Sequence, residues 1–318
     1  RRKISALKRF SEYSFMRDIM VNEIGLKMKK NKDTFFLNAD MGAPALDNVI
    51  KKYPKNVVHC GISEQNMITV ASGMALRGCN EFCYGMAPFV TSRCYEQLKI
   101  SLSAMNVPVC VVGIGPGLGY ADAGPTHYST EDFACMRAIS GTKIYTSSDN
   151  FITKQIAKET IKNNNLNYIR LDRHFTKDIK YEEKKFNFDD GFRIIGDYSE
   201  EKIAIISHGR ILHNCLKTFN ENKDKCFLVD LFCSKPISEK FIEKIKKIKK
   251  ILVVDEQTPN GNLTSAIQEK LSENNIFNYI KNLSLPESYI FQNGGRDFLL
   301  KTHNLDEKSI LETFNKMI

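Results

Sequence analysis

The chain has 318 residues, of which 42% are hydrophobic and 26% are charged. This composition is typical of a soluble globular protein with room for two domains, and it excludes disordered and collagen-like chains. The 46 Lys and Arg residues exceed the 37 Asp and Glu residues and give a net charge of +9. The densest basic run, 240–250, alternates lysines with apolar residues at helical spacing. It therefore predicts a solvated helix face, and we expect no nucleic-acid partner.

The sequence gives no sign of a membrane segment or a metal site. No window approaches the ~18 consecutive apolar residues of a membrane span, and no apolar run typical of a signal peptide follows the basic start. We therefore expect a cytoplasmic protein. The nine cysteines lie mostly within apolar segments and form no CxxC pair, which indicates reduced core residues.

Apolar runs of strand length alternate with segments of helical period. The runs are 34–37, 57–60, 109–114, 143–146, 168–171, 203–207, 226–231 and 251–254. Unbroken apolar strands that alternate with helices predict an α/β fold, with parallel sheets covered on both faces. The charged stretch 176–200 has no long apolar run. We predict a first domain over 1–175, a linker over 176–190 and a smaller second domain over 191–318.

The first candidate functional residue is Glu64. An apolar strand, 57–60, ends at Gly61, and Glu64 follows in the first turn of the next predicted helix. Ligands bind at such junctions along the carboxyl edge of parallel sheets. Alternatively, Ser63 caps the helix and Glu64 only complements the helix dipole.

A long loop follows the strand 109–114. It carries five glycines and two prolines within 113–127 and ends in His127, a composition suited to close approach of the backbone to a ligand. It is not a dinucleotide-binding fingerprint, because Pro116 interrupts it and the third glycine and the immediate helix are missing. The residues alone leave open whether His127 is structural or catalytic.

The segment 84–97 is rich in aromatic residues, and we predict a loop that enters a helix. Tyr84, Phe89 and Tyr95 can close the core, which is the commoner use of aromatic side chains, or supply a stacking surface for a planar ring.

These three segments, in this order, resemble the pyrimidine-binding domain of the transketolase family of thiamine diphosphate enzymes. Residues 61–67 resemble the family's signature around the cofactor glutamate. Residues 124–127, with the acidic pair 131–132, resemble its substrate-channel loop. Residues 143–149 resemble the strand and turn that follow in the family. Residues 203–210 and 251–267 are similar to the family's C-terminal domain. The resemblance covers essentially the whole chain. It implies two doubly wound α/β domains, a pyrimidine-binding thiamine diphosphate fold followed by a smaller transketolase C-terminal-like domain.

The resemblance also implies roles for individual residues. Glu64 would hydrogen-bond the aminopyrimidine of thiamine diphosphate and so promote deprotonation of the thiazolium carbon. His127 would contact the substrate oxygen near the reacting carbon. The remaining candidates are Phe89 for the aminopyrimidine face, with Tyr84 and Tyr95 behind it, Asp40 and Arg93 for the cofactor, and Arg17 and Arg173 for the phosphate of a sugar phosphate.

Two positions depart from the transketolase pattern. Transketolases place an Asp directly before the Gly-Pro-Thr-His stretch and a His near the start of the loop, whereas this chain has Ala123 and Gly115 there. Asp122 lies one residue away. A hydroxyl of the donor sugar is therefore held differently, which puts the usual pentose-phosphate donors in doubt and leaves carbon–carbon transfer open.

The diphosphate half of the cofactor site has no counterpart in the sequence. Family members mark it with Gly-Asp-Gly and a later Asn pair that hold Mg²⁺ against the diphosphate. The nearest string, 189–191 (DDG), lacks the asparagines and predicts a turn. We therefore expect a partner, an N-terminal diphosphate-binding subunit that holds Mg²⁺ in a heterotetramer. Alternatively, the chain was cut from a longer one.

The sequence points to the C-terminal subunit of a split transketolase-like enzyme that moves a two-carbon ketol unit from a ketose, or its phosphate, to an aldose. Two enzymatic alternatives stay open, a 1-deoxyxylulose-5-phosphate synthase-like enzyme and the beta chain of a 2-oxoacid dehydrogenase. An alternative from another class is a non-catalytic assembly subunit. The presence of Glu64 argues against it, and the departures at Gly115 and Ala123 argue mildly for it.

Overall fold

The computed structural model describes residues 15–42, 44–161, 165–181 and 183–318. In these residues two sheets are flanked by helices. The strands are β1 Thr34–Asn38, β2 Val57–His59, β3 Asn80–Met86, β4 Cys110–Ile114, β5 Lys143–Thr146, β6 Asn167–Leu171, β7 Arg193–Ile195, β8 Ile203–Ser207, β9 Cys226–Asp230, β10 Cys233–Lys235, β11 Lys250–Val254 and β12 Tyr279–Leu283.

Helices fill most of the connections between the strands. They are α1 Met16–Lys30, α2 Pro44–Lys52, α3 Glu64–Leu76, α4 Ala87–Val90, α5 Tyr95–Gln97, α6 Asp132–Ala138, α7 Asn150–Thr160, α8 Leu212–Glu221, α9 Glu239–Ile245, α10 Leu263–Glu273, α11 Arg296–Thr302 and α12 Glu307–Asn315. A wider, π-helical turn, Leu98–Ala104, continues α5. Within the part of the chain that the structure describes, no helix has both the length and the apolar character of a membrane span.

The first sheet has the order β10-β5-β6-β4-β3-β1-β2 among the described residues. Strands β1 to β6 are parallel, and β10 is antiparallel to β5. The second sheet has the order β12-β11-β8-β9-β7, in which β7 is antiparallel to β9 and the other pairs are parallel. The predicted α/β fold with two doubly wound sheets is confirmed.

The sequence patterns missed four strands. Strands β7 and β10 have three residues each, and the burial of β12 is mixed, so none of the three carries a clear apolar run. Strand β3 is buried but carries Glu81 and Gly85. The segment 84–86 was therefore wrongly predicted as loop. The turn predicted at 189–191 is confirmed as a single 3-10 turn, Phe188–Asp190, that ends on Gly191 with φ +75°.

The two halves of the chain share their core. One apolar cluster includes Phe133 and Met136 of α6 together with Phe241 of α9 and Val253 of β11. The strand β10 lies in the predicted second domain but extends the first sheet by pairing with β5. Residues that follow β4, β5 and β6 at their carboxyl ends lie beside residues that follow β8 and β11 of the second sheet.

Candidate active site

The carboxyl group of Glu64 is buried at the start of α3. Glu64 is the first residue of this helix and is 4% exposed. Ser63, the residue before it, makes no side-chain capping hydrogen bond. The expectation that Ser63 caps the helix is therefore wrong, while complementing the helix dipole stays open as a role for Glu64.

Arg93 compensates the charge of Glu64. Its Nη1 donates to Glu64 Oε2 at 2.8 Å, and its side chain is 42% exposed. The guanidinium also lies over the ring of Phe89, 4.0 Å from the centroid. Gln65 Nε2 donates to the backbone oxygen of Arg93 at 3.0 Å and fixes this turn beside α3.

His127 completes a group that we call the Glu64 cluster: Glu64, Phe89, Arg93 and His127. The imidazole packs edge-on against Phe89 with the ring centroids 5.2 Å apart. His127 Nδ1 lies 2.9 Å from Thr126 Oγ1. The structure thus brings together a carboxyl, an aromatic ring, a guanidinium and an imidazole that the sequence separates by up to 63 positions (127 − 64).

Of the predicted phosphate ligands, Arg173 contacts Tyr120, and the charge of Arg17 acts on the same side chain. The Arg173 guanidinium lies 4.5 Å from the centroid of the Tyr120 ring. Burial raises the pKa of the Tyr120 phenol, and the charges of Arg173 and Arg17 oppose that shift. The ring of Tyr120 lies 6.4 Å from that of His127 and so connects the two arginines to the Glu64 cluster.

Arg17 has spare hydrogen-bonding capacity. Its Nε is buried and has no hydrogen-bond partner within the described ranges, and its contact with Asp18 is long, at 4.0 Å. Arg173 forms a loose pair with the exposed Asp122, at 3.6 Å. A guanidinium with such a donor is suited to an anionic oxygen of a ligand.

Two predicted cofactor residues lie apart from the Glu64 cluster. Tyr84 is fully buried on β3, where it packs against Phe36 at 5.3 Å in the apolar cluster under α1. Its ring offers no surface for stacking a cofactor. Asp40 is exposed at the end of β1 with φ +56°, and its backbone N–H donates to Asn38 Oδ1 at 3.1 Å. In the described residues, no hydrogen bond or ion pair joins its carboxylate to the cluster.

Tyr120 explains one departure from the transketolase pattern, and no pattern in the sequence pointed to it. Gly115 has φ +76°, and a Cβ built there would lie 2.4 Å from the Tyr120 ring. The ring therefore fills the space of a side chain at position 115, where transketolases carry a His. Ala123, the other departure, is exposed.

The Glu64 cluster fits the pyrimidine end of thiamine diphosphate. The buried carboxyl can accept or donate a hydrogen bond at a ring nitrogen, and Phe89 is the ring that can stack on an aminopyrimidine. Arg93 covers a face of Phe89 and is partly exposed, so its side chain can move aside toward solvent. No group of three or more His, Cys, Asp or Glu side chains that could hold a metal ion occurs in the described ranges.

The fold and these residues define a chain with a candidate ligand site at the carboxyl edge of its first parallel sheet and a second α/β domain packed beside it. Family models identify the two parts. The model for the transketolase pyrimidine-binding domain matches residues 15–177, and the model for the transketolase C-terminal domain matches 196–310. The chain belongs to the transketolase family.

Individual relatives and solved structures agree with this assignment. The chain is 27% identical to a putative transketolase C-terminal section from Methanocaldococcus jannaschii, over 89% of both chains. It is 26% identical to a subunit of the apulose-4-phosphate transketolase of Phocaeicola vulgatus, over 90% of this chain and 91% of that one. A solved split-gene transketolase, described as an inactive beta4 tetramer, matches with a TM-score of 0.82 and 21% identity, over 95% and 97% of the two chains. At this identity, the likeness to the solved split-gene transketolase shows the fold alone.

Proposed function

We propose that the chain is the C-terminal subunit of a split transketolase-like enzyme, which transfers a two-carbon ketol unit from a ketose phosphate to an aldose. The observation that carries this proposal is the buried Glu64 carboxyl, which pairs with Arg93; the Arg93 guanidinium lies over Phe89, and His127 packs against that ring. Relatives of similar length are named as a transketolase C-terminal section and as a subunit of an apulose-4-phosphate transketolase. The particular ketose and aldose, and a cytoplasmic location, stay predictions.

Thiamine diphosphate, when bound, supplies a thiazolium carbon that cleaves the bond next to a carbonyl. The residues of this chain would prepare and orient that reaction. Glu64 would hold a proton at the aminopyrimidine nitrogen. Phe89 would support the ring, and His127 would donate to the substrate oxygen where negative charge develops.

The two arginines fit the phosphate end of the substrate. Arg173 lies over the ring of Tyr120, the charge of Arg17 also acts on that side chain, and the ring lies 6.4 Å from His127 of the Glu64 cluster. A sugar phosphate could therefore place its phosphate between the arginines and its carbonyl near His127. Charge-assisted bonds from arginine would fix the phosphate.

We propose that a second polypeptide holds the diphosphate and Mg²⁺, and that the two chains form a heterotetramer. The sequence carries no Gly-Asp-Gly motif followed by an Asn pair, and the string 189–191 forms a turn. Mg²⁺ held by that polypeptide would balance the charge of the diphosphate.

The test mixes this chain with a diphosphate-binding subunit and thiamine diphosphate and compares Glu64→Gln with the wild type. Exchange of the thiazolium hydrogen should fall by at least about 100-fold, because the proton-exchanging group is lost. Glu81→Gln is the matched control: it removes another buried glutamate, which lies on β3 away from the cluster, and exchange should stay at the wild-type rate. Unchanged exchange in Glu64→Gln would contradict the catalytic role, and full activity of the isolated chain would contradict the partner.

A further inference from the structure

The second domain holds the glycine-rich loop of the first domain. We call residues 115–131 the channel loop and residues 255–258, which follow β11, the clamp segment. Hydrogen bonds join them: Leu118 N donates to Glu256 Oε1 at 3.0 Å, Gln257 Nε2 to the Ser129 oxygen at 2.7 Å, and Thr258 N to the Thr130 oxygen at 2.9 Å. Both ends of the loop segment that carries His127 are therefore fixed by the other domain.

Arg296 of α11 fixes Glu256 in turn. Its Nε and Nη2 donate to the two carboxylate oxygens of Glu256 at 2.9 and 2.5 Å, and its Nη1 donates to Asp172 Oδ2 at 2.5 Å. The side chains of Arg296, Glu256 and Asp172 are 8%, 7% and 1% exposed. One buried guanidinium thus ties the clamp segment to the residue next to Arg173.

The charges in this group are well matched. Burial raises the pKa of the Asp172 carboxyl, but the Arg296 guanidinium and hydrogen bonds to His174 outweigh burial and hold that pKa well below its usual range. A buried arginine that bridges two carboxylates imposes a defined geometry, because a displaced partner would be left buried and unpaired. Such a group is suited to fixing the positions of the segments that carry Glu256 and Asp172.

The contact between the channel loop and the clamp segment leaves little space between the domains. Gly117 has φ +62°, and a Cβ built there would lie 2.8 Å from the Glu256 carbonyl oxygen. The crevice at the carboxyl ends of β8 and β11, where the strand order of the second sheet reverses, is where open α/β sheets bind ligands. Here a cavity of about 20 Å³ remains beside the loop, room for a single water.

In the proposed function His127 and Arg173 face one substrate, and they lie on the channel loop and on the segment after β6. His127 lies within the loop, and Arg173 directly follows Asp172. Both are tied to Arg296, through Glu256 and Leu118 in one case and through Asp172 in the other. The distance between a donor at the carbonyl end and an arginine at the phosphate end consequently depends on one buried ion-pair group of the second domain.

We propose that Glu256 and Arg296 are positioning residues, which set the channel loop and the turn 172–173 so that His127 and Arg173 engage the same sugar phosphate. The substrate part of this inference rests on the proposed function. The mechanical part, that the second domain holds the loop, does not.

The mechanical part is tested on the chain itself by amide hydrogen exchange, read in peptides that cover 115–131. Glu256→Ala and Arg296→Lys should each raise exchange in this loop by about tenfold, because Leu118 loses its acceptor or that acceptor loses its bidentate partner. Arg296→Lys keeps the positive charge and can be tested in place of Glu256→Ala if that variant does not fold. Arg137→Lys is the matched control, because Arg137 also joins the domains, through the Gly261 oxygen at 2.9 Å and through Glu269, but holds no part of the loop.

The positioning role is tested in the reconstituted two-subunit enzyme. Glu256→Ala and Arg296→Lys should raise KM for a phosphorylated ketose by roughly 10- to 100-fold, whereas exchange of the thiazolium hydrogen, which depends on Glu64, should stay unchanged. Arg137→Lys should leave KM unchanged.

The outcomes separate the two proposals. Wild-type amide exchange in both variants overturns the clamp, and faster loop exchange with an unchanged KM overturns the positioning role. An assembled wild type that shows no thiazolium exchange overturns the proposed function, and the amide exchange then decides the clamp alone.

Discussion

Glu81 is a buried carboxyl without a role in the proposed reaction. It lies at the amino-terminal end of β3 and is 2% exposed, and neither carboxylate oxygen has a hydrogen-bond partner in the described residues. Burial raises its pKa to about 7, and the nearby charge of Lys27 opposes this shift only in part. Below about pH 7 the folded protein therefore favours the protonated form of Glu81.

This preference predicts how stability depends on pH. Because the pKa of Glu81 is higher in the folded chain than its ordinary 4.5, its contribution to stability is fully present below about pH 4.5 and is lost as the pH rises through about 7. Glu81→Gln should stabilise the chain at about pH 8 by up to roughly 3 kcal/mol and have little effect at about pH 4. Urea unfolding at both pH values measures this, and equal effects at the two pH values would contradict it.

The residues of the site differ in how far the sequence could reveal them. Glu64 was proposed as a site residue because a motif and a strand-to-helix junction coincide there. Its partner Arg93 was found only as a general cofactor candidate, since no pattern in sequence shows that two side chains 29 positions apart form an ion pair. Tyr120 was missed because its placement depends on packing over Gly115, and Tyr84 was misplaced because strand β3 was not recognised.

At the scale of elements, the channel loop gains its shape from contacts rather than from its own regular structure. Gly115 and Gly124 both have positive φ, +76° and +77°. A side chain at 115 would strike the Tyr120 ring at 2.4 Å, whereas nothing lies within 4 Å of a Cβ at 124. The two positions share the same backbone strain and differ in packing.

The pair gives a matched test of the loop. Gly124→Ala should cost about 1–2 kcal/mol of stability from left-handed backbone strain alone. Gly115→Ala should cost roughly 1–3 kcal/mol more, since Tyr120 must be displaced, and should raise KM for a sugar phosphate because Tyr120 orders Arg173. Thermal unfolding and KM measured on both variants decide this. Equal losses in the two variants would show that the Tyr120 ring does not constrain the loop.

Elements with strong apolar runs were predictable, and those defined by pairing were not. Strands β4, β6, β8, β9 and β11 were recognised because each is buried along most of its length. Strand β10 has three residues and is a strand because β5 offers it an edge. Its sequence does not reveal that it belongs to the first sheet. It therefore could not reveal that a strand of the predicted second domain pairs with one of the first.

At the scale of the whole molecule, the two domains are joined by buried charges as well as by apolar contacts. Arg193 of β7 is fully buried and donates to Asp149, the capping residue of α7, at 2.6 Å and to Asp230 at 3.0 Å. A separation of the domains would leave these charges unpaired in part-apolar surroundings, which costs several kcal/mol. The interface therefore opposes independent unfolding.

Damage to one domain should consequently destabilise the other. Phe314 of α12 is fully buried in the apolar cluster that also contains Ile205 of β8 and Leu252 of β11, and Phe314→Ala should cost about 3–5 kcal/mol. Because the domains share strand β10, a common core cluster and the Arg193 group, peptides of β1 and β4 should lose their amide protection at the same lowered urea midpoint as peptides of β8 and β11. Amide hydrogen exchange across a urea series measures both sets in one sample. A first sheet that keeps its wild-type midpoint while the second unfolds would show that the shared strand and the buried arginine do not couple the domains.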